Sequence, residues 1–345
     1  MKSNLPNQAS PIFSSLEICA GAGGQALGLE NAGFDHRAVI ELDNWAAETL
    51  RSNRGSSWNI LEMDVHDLDG KPWNNQIDLF AGGVPCPPFS IAGKQLGAED
   101  ERDLFPQALR LIEEISPRAI MLENVRGLAQ KRFDSYRAEL IGRIEQMGYV
   151  VFWKVLQAAD FGVPQLRPRF IIVALQRDVA PYFSWPTPYS KQVHVGEALR
   201  DLMASRGWPG ADSWARGAAS VAPTLVGGSR KHGGADVGPT RSKEAWKKLG
   251  IKGTSIAEEA PGPDFPLGDP DNLPRLTVQM GGVIQGFPPN WIWEGGKTAQ
   301  WRQVGNAFPP PVAQAIGLRI RHALEKANEV SNDQSVVERK GRASA

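Results

Sequence analysis

The chain has 345 residues, 41% of them hydrophobic and 22% charged, a composition of soluble globular proteins and a length that favours one large domain plus a smaller one. Thirty-eight Lys and Arg balance thirty-eight Asp and Glu, so a globally basic nucleic-acid coat is excluded, and no apolar run reaches the length of a membrane span. Only Cys19 and Cys86 are present, and no Cys/His group has metal-ligand spacing; this excludes a disulfide framework and a zinc site and sets the expectation of a reducing compartment. The first residues lack an apolar signal core, so a cytoplasmic location is expected.

In chain order, residues 1–12 read as a loose tail. From Ser14 to about Leu175, apolar runs of strand length alternate with helix-like segments. Strands are predicted at Ser15–Ala20, Ala38–Leu42, Asn59–Asp64, Ile77–Ala81, Ala119–Glu123, Val150–Gln157 and Phe170–Leu175. Helices are predicted at Gln25–Asn31, Asn44–Arg51, Leu104–Ile115 and Ser135–Met147. This alternation argues for a Rossmann-like α/β fold, a parallel sheet with helices on both faces. The last two strands have no helix between them, so one edge is expected to be mixed. The first domain is placed at 13–185. From 186 to 274 the chain is rich in Gly, Pro and Trp with little periodicity and reads as a smaller irregular domain. Residues 275–328 return to order with a helix at Pro311–Ala327, and 329–345 read as a disordered polar tail.

The first predicted strand runs into Cys19-Ala20-Gly21-Ala22-Gly23-Gly24, followed by a helix. Glycines there let backbone N–H groups and a helix N-terminus approach a ligand, although a tight structural turn explains a share of such runs. Glu41-Leu42-Asp43 ends the second strand, placed to hold ribose hydroxyls, and Asp64-Val65 ends the third, placed to hold an adenine amino group. The turn lacks the third glycine of a dinucleotide fingerprint. That favours a nucleoside without a diphosphate, of which S-adenosyl-L-methionine is the common case. Strand-end solvation would explain either acid alone, but three sites at successive strand ends are harder to dismiss.

Cys86 lies between prolines after Gly82-Gly83, on a rigid turn at the mouth of the sheet rather than in a core. Glu123 ends the next predicted strand. A thiol nucleophile and a carboxyl delivered to one edge suggest covalent chemistry; a strand-end cap is the plain alternative for Glu123. Arg167 and Arg169 flank Pro168 and alternate onto one face. Residues 216–252 carry eight Lys/Arg against two Asp/Glu, enough for a local phosphate-binding face, or simply a solvated charged surface. Within them Arg230, Lys231 and His232 are bracketed by glycines, like a loop that enters a groove.

The ordered blocks Ala20–Gly24, Glu41–Asp43, Pro85-Cys86, Glu123–Val125, Gln165–Arg169, Gln285–Pro288 and Gly305-Asn306 resemble the bacterial cytosine C5-specific DNA methyltransferases and span residues 14–326. The resemblance implies S-adenosyl-L-methionine as cofactor, held by Cys19, Ala20, Gly21, Gly23, Gly24, Glu41, Leu42, Asp64, Val65, Pro85, Leu104 and Asn306. It implies Cys86 as nucleophile at cytosine carbon-6 and Glu123 on the ring nitrogen and exocyclic amine. Arg167 is implied at the cytosine carbonyl oxygen, and Arg169 as a second contact or phosphate partner. A lid over a flipped base is read at 90–102, where Ser90, Lys94 and Arg102 would meet DNA, and a target-recognition domain at 186–274, where Arg230, Lys231 and His232 would. The last helix is expected to pack against the first strand. The implied partners are double-stranded DNA and a separately acting cognate restriction endonuclease, with no membrane and a monomeric state. Three departures stand out: Pro87 replaces the usual Gln, Cys19 replaces an aromatic residue, and Thr277–Ile284 lacks the usual Glu-x-x-Arg. Two other readings stay open, a tRNA cytosine-5 methyltransferase and a catalytically silent DNA-binding paralogue.

Overall fold

Strands buried on both faces read as near-continuous apolar runs, and such runs dominate the first half of this chain. The computed structural model describes residues 12–85, 103–227, 235–269 and 271–343, with backbone alone from 334. Its first half alternates β1 (Phe13–Ile18), α1 (Gly24–Asn31), β2 (Phe34–Glu41), α2 (Asn44–Arg54), β3 (Ile60–Glu62), β4 (Leu79–Gly83), α3 (Phe105–Ile115), β5 (Ala119–Val125), α4 (Asp134–Gln146) and β6 (Tyr149–Gln157). Then come β7 (Gln165–Leu166), β8 (Pro168–Gln176), α5 (Val195–Ala204), α6 (Ala211–Gly217), β9 (Ala222–Pro223), α7 (Thr240–Lys248), α8 (Val278–Ile284), α9 (Lys297–Asn306) and α10 (Pro310–Ala343).

Seven strands form one sheet in the order β3-β2-β1-β4-β5-β8-β6, and β7 pairs with β9 in a small second sheet. The pairs among β1 to β5 are parallel, whereas β8 runs antiparallel to both β5 and β6. The expected mixed edge is therefore present, with β8 inserted between β5 and β6. Alternate side chains of the central strands feed two cores. Leu79, Ala81, Met121, Ile171 and Val173 point to one, and Phe80, Ile120, Leu122, Phe170 and Ile172 to the other. Leu29 of α1 and Val312, Ile316, Ile320 and Leu324 of α10 cover the first face; Leu109, Ile112, Leu140 and Ile144 of α3 and α4 cover the second. Burying both faces is what a parallel sheet requires of its helices.

Three expectations are corrected. The last helix packs chiefly on α1 rather than on the first strand: a methyl group added at Gly28 would lie 2.5 Å from Ala313 Cβ, and one at Gly317 2.8 Å from Ala32 Cβ. Small residues on both helices allow this approach, and Phe13 of β1 joins the same core beneath them. That helix also continues to Ala343, so residues 329–343 are helical rather than a disordered tail. Finally, 186–274 is more regular than its composition suggests, holding α5, α6 and α7 around Trp208, Trp214 and Trp246. These helices are short and separated by Gly and Pro, so their periodicity is cut before it can be read. Their core is continuous with Trp291, Trp293 and Trp301 of the returning segment. That segment is docked onto α2, where the Asn53 side chain donates to the Ile292 carbonyl (2.8 Å) and accepts from its N–H (2.9 Å).

Glu17 breaks the apolar pattern of β1. It points to the α1 face and is fully buried, and neither carboxyl oxygen has a well-formed hydrogen bond. Burial pushes its carboxyl well above the ordinary 4.5; the Ala26 N–H pulls it down and Glu41 pushes it further up. A raised carboxyl favours the folded state below the unfolded-chain value, and that advantage is lost as pH rises toward the folded value. Each pH unit in that window costs about 1.4 kcal/mol. Urea denaturation of Glu17→Gln and the wild type between pH 5 and 8 should therefore show the variant gaining on the wild type by at least about 1 kcal/mol as pH rises. A constant difference would mean the carboxyl is already ionised in the fold.

Candidate active site at the carboxyl ends of the parallel strands

The strand order reverses between β1 and β4, and in open α/β sheets a crevice forms at such a point, outside the carboxyl ends of the strands. The β1–α1 turn lies there. Cys19, Gly21 and Gly23 have φ of 53°, 56° and 85°, so the chain bends through left-handed conformations before α1 begins. A Cβ at Gly21 would meet nothing within 4 Å, whereas one at Gly24 would lie 2.0 Å from the Phe308 carbonyl oxygen. Gly21 thus faces open space, and Gly24 is required for packing against the chain that leads to α10. The Ala20 N–H is spent on the neighbouring strand, donating to the Ile40 carbonyl of β2 (3.1 Å).

Glu41, at the end of β2, closes the other side. One carboxylate oxygen accepts from the Gly21 N–H and the other from the Asp43 N–H, both at 2.7 Å. Burial raises its pKa against the pull of those two N–H groups. Lone pairs remain on both oxygens for a ligand's hydroxyls. Beside it Leu42 is 63% exposed and Trp45, at the start of α2, 46% exposed, an uncovered apolar edge next to a carboxylate. Asp43 caps α2 by accepting from Ala46 N (3.2 Å) and pairs with Arg302 of α9 (3.0 Å). Asp64 accepts from the N–H and ring Nδ1 of His66, which hold its pKa down, and the neighbouring Val65 is buried. The Cys19 thiol is pushed far up by burial and by Glu41, Glu17 and Asp64, so it is held neutral and is unsuited to nucleophilic attack. Asn306 ends α9, and a Cβ at Gly227 would lie 3.1 Å from its side-chain oxygen. The open glycine turn, the tethered carboxylate and the bare apolar edge fit an adenosine-type ligand. Trp45 and Arg302 are additions that the sequence reading missed; an exposed Trp four residues after Glu41 was the available signal for the first.

β4 and β5 are paired so that Gly83 lies opposite Glu123. Asn124 donates to the Val84 carbonyl (2.8 Å) and fixes the chain that leads toward position 86. The exposed Pro85 accepts from the N–H of half-buried Leu104 at 3.3 Å, so the described residues on either side of 86–102 lie side by side. Its far end is anchored by buried Asp103, which accepts from the Phe105 N–H (3.0 Å) and the Tyr136 hydroxyl (2.5 Å). Cys86, Ser90, Lys94 and Arg102 lie outside the described residues, as do Arg230, Lys231 and His232.

The arginine pair departs from its expected arrangement. Arg169 Nε lies 2.7 Å from Glu123 Oε1, and both side chains are only 12% exposed. Arg167 is 1% exposed and turned elsewhere, donating to the Leu225 carbonyl (2.8 Å) and the Gly305 carbonyl (2.6 Å). The two side chains take different partners: Arg167 precedes β8 at the β7 junction, whereas Arg169 lies within β8, opposite Val125. Burial pushes the Glu123 carboxyl up, and Arg169 and then Arg167 pull it back without cancelling the rise. Beyond β5, Arg126, Lys131 and Arg132 form an exposed basic rim, and no carboxylate among the described residues pairs with them. Among the described residues no group of His, Cys, Asp and Glu could hold a metal, and no helix is long and apolar enough to cross a membrane.

Removing one partner of a buried pair leaves an uncompensated charge and costs about 3 kcal/mol or more. Arg169→Met should lose about that much stability at pH 8 and less at pH 5.5, where Glu123 can take up a proton. Arg169→Met combined with Glu123→Gln should recover part of the loss at pH 8. Chemical denaturation at both pH values measures this, and equal losses at the two would count against the pair.

Comparison with known proteins agrees with this geometry. The family description "C-5 cytosine-specific DNA methylase" matches residues 13–322. The chain is 56% identical to the Type II methyltransferase M.NaeI of Lentzea aerocolonigenes over 91% of this chain and 76% of that one. It is 50% identical to the Type II methyltransferase M.NgoMIV of Neisseria gonorrhoeae over 92% of this chain and 99% of that one. Among solved structures, the Entamoeba histolytica methyltransferase EhMeth shares the fold with a TM-score of 0.63 at 15% identity, covering 90% of this chain and 98% of its own. The S. pombe Dnmt2 methyltransferase does so with a TM-score of 0.59 at 17% identity, covering 92% and 100%. With its full sheet, its glycine turn and Glu123 in place, the chain belongs to the C-5 cytosine-specific DNA methylase family.

Proposed function

We propose that this enzyme transfers a methyl group from S-adenosyl-L-methionine to carbon-5 of a flipped cytosine within a specific double-stranded DNA sequence, as the modification enzyme of a restriction–modification system. The observation that carries the reading is Glu123, buried and paired with Arg169 at the end of β5, on the strand beside the one that leads to Cys86. When bound at the glycine turn, S-adenosyl-L-methionine supplies an electrophilic methyl group. Gly21, Gly23, Glu41, Leu42, Asp64, Val65 and Asn306 would hold it.

Cytosine carbon-5 is a poor nucleophile. The Cys86 thiolate adds to carbon-6 and turns the ring into an enamine, whose carbon-5 then takes the methyl. Loss of the carbon-5 proton expels the thiolate and restores aromaticity. A carboxyl raised by burial can protonate or hydrogen-bond the ring nitrogen and draw electrons from carbon-6. We assign the cytosine carbonyl contact to Arg169, which already reaches Glu123, rather than to Arg167, whose two terminal nitrogens are turned to the Leu225 and Gly305 carbonyls. Flipping the base costs a few kcal/mol, which contacts from Ser90, Lys94 and Arg102 would offset. Residues 186–274 would read the sequence through Arg230, Lys231 and His232, with phosphates steadied by exposed Arg241, Lys247 and Lys248 of α7 and by the rim at Arg126, Lys131 and Arg132. A separate cognate endonuclease, a monomeric state and a cytoplasmic location complete the proposal. The named relatives are Type II methyltransferases, which favours DNA over tRNA as substrate.

Bisulfite sequencing of DNA from cells expressing the chain should reveal 5-methylcytosine in one sequence context. Purified enzyme should transfer tritiated methyl to DNA and not to tRNA, with Cys86→Ser abolishing transfer and Glu123→Gln lowering it by at least about a hundredfold. A duplex carrying 5-fluorocytosine should be trapped covalently on the wild type. Label confined to tRNA would move the assignment to RNA, and DNA binding with no transfer would make the chain a silent paralogue.

A further inference from the structure

We infer that Arg167 is a positioning residue that ties the root of the recognition loop to the cofactor-side end of α9, and so couples cofactor binding to DNA reading. The inference rests on the function proposed above.

Arg167 sits where three parts of the protein meet. Its two terminal nitrogens reach the Leu225 carbonyl, in the recognition segment, and the Gly305 carbonyl, at the end of α9. The Leu225 N–H is held as well, donating to the side-chain oxygen of fully buried Gln165 at 2.7 Å. Both backbone groups of Leu225 are therefore satisfied by side chains, as a neighbouring strand would satisfy them. This extends the β7–β9 ladder, in which Gln165 and Leu166 pair with Ala222 and Pro223. The Gln165 amide also donates to Gln285 Oε1 (3.0 Å), and Gln285 donates to the Val304 carbonyl (2.6 Å). The network thus returns to α9 by a second route.

Two residues beyond Leu225, the recognition chain touches α9 directly. A Cβ at Gly305 would lie 2.0 Å from the Gly227 nitrogen, and one at Gly227 2.6 Å from the Arg302 carbonyl oxygen. Neither position tolerates a side chain without displacement. Gly227 leads straight into the segment that carries Arg230, Lys231 and His232, and Gly305 is followed by Asn306. Arg302 pairs with Asp43, two residues from Glu41. In the other direction, Arg169 follows Arg167 by two residues and holds Glu123.

The cation is held by neutral carbonyls, and its Nε has no partner among the described residues. Holding a buried charge in this way is costly, and an apolar side chain of similar size would fill the space more cheaply. What the guanidinium supplies is reach: one planar group spans two carbonyls on separate segments. A shift of α9 on cofactor binding must move Leu225 and Gly227, and a shift of the recognition root on DNA must move Gly305. Coupling of this kind is reciprocal.

The test uses the full chain, S-adenosylhomocysteine and a duplex carrying the sequence that the wild type methylates. Calorimetry gives the affinity for S-adenosylhomocysteine with and without the duplex, and fluorescence anisotropy gives duplex affinity with and without S-adenosylhomocysteine. In the wild type each ligand should tighten the other by the same factor, about fivefold or more. Arg167→Lys keeps the charge but cannot span both carbonyls. Its coupling factor should fall to within about twofold of unity, while affinity for S-adenosylhomocysteine alone stays within about threefold of wild type. Gly227→Ala disturbs the same contact from the other side, in a loop root, and should lose coupling too. Absence of coupling in the wild type overturns the inference, as does wild-type coupling in either folded variant. A uniform loss of affinity with the ratio intact would mark a merely structural residue and overturns it equally. If the wild type methylates no DNA at all, the functional reading fails instead, so the two failures are separable.

Discussion

A carboxylate and a guanidinium placed 2.7 Å apart at the end of a buried sheet set the terms for this site. Glu123 can be taken out of water only because Arg169, on the antiparallel neighbour β8, arrives at the same depth. Without β8 inserted beside β5, the carboxyl would be either solvated or unpaired. The mixed edge of the sheet is therefore what brings the two partners of this pair together. Parallel strands deliver their carboxyl ends to one side, and an antiparallel strand delivers its amino end to that same side. The acid comes from the first kind of strand and its cationic partner from the second.

On the opposite side of the crevice stand two acids, Glu41 and Asp64, with Glu17 buried in the core on the α1 side of β1. Glu17, Glu41 and Asp64 surround the first turn, and each pushes the Cys19 thiol further from ionisation. Burial and those carboxylates hold the Cys19 thiol neutral, whereas in the sequence Cys86 follows β4, whose neighbour β5 carries Glu123 near its end.

Residues 186–274 are held to the rest of the protein by packing and by backbone hydrogen bonds from side chains, rather than by a long ladder. Tryptophans 208, 214 and 246 fill a core that runs without interruption into Trp291, Trp293 and Trp301. Gln165 and Arg167 then hold Leu225 in register. Glycines at 227 and 305 let two backbones approach where any side chain would collide.

Much of the fold was legible from the chain alone. The strands at 15–20, 38–42, 59–64, 77–81, 119–123, 150–157 and 170–175 could be read because burial on both faces leaves a short continuous apolar run and burial on one leaves an alternating one, and the glycine turn could be read because left-handed backbone restricts the residue choice. The ordered motifs carried the family. The short helices of 186–274 were not legible, since Gly and Pro break their periodicity, and neither was the helix through Ala343, whose sequence is polar. Of the site, the sequence by itself determined which residue types stand at the strand ends. Only the tertiary structure decided how the two arginines divide their work. Arg167 and Arg169 are indistinguishable by type and differ by two positions in one motif. Which of them meets Glu123 depends on where β8 begins and on the position of Leu225 and Gly305, contacts 58 and 138 residues away along the chain that no local pattern encodes.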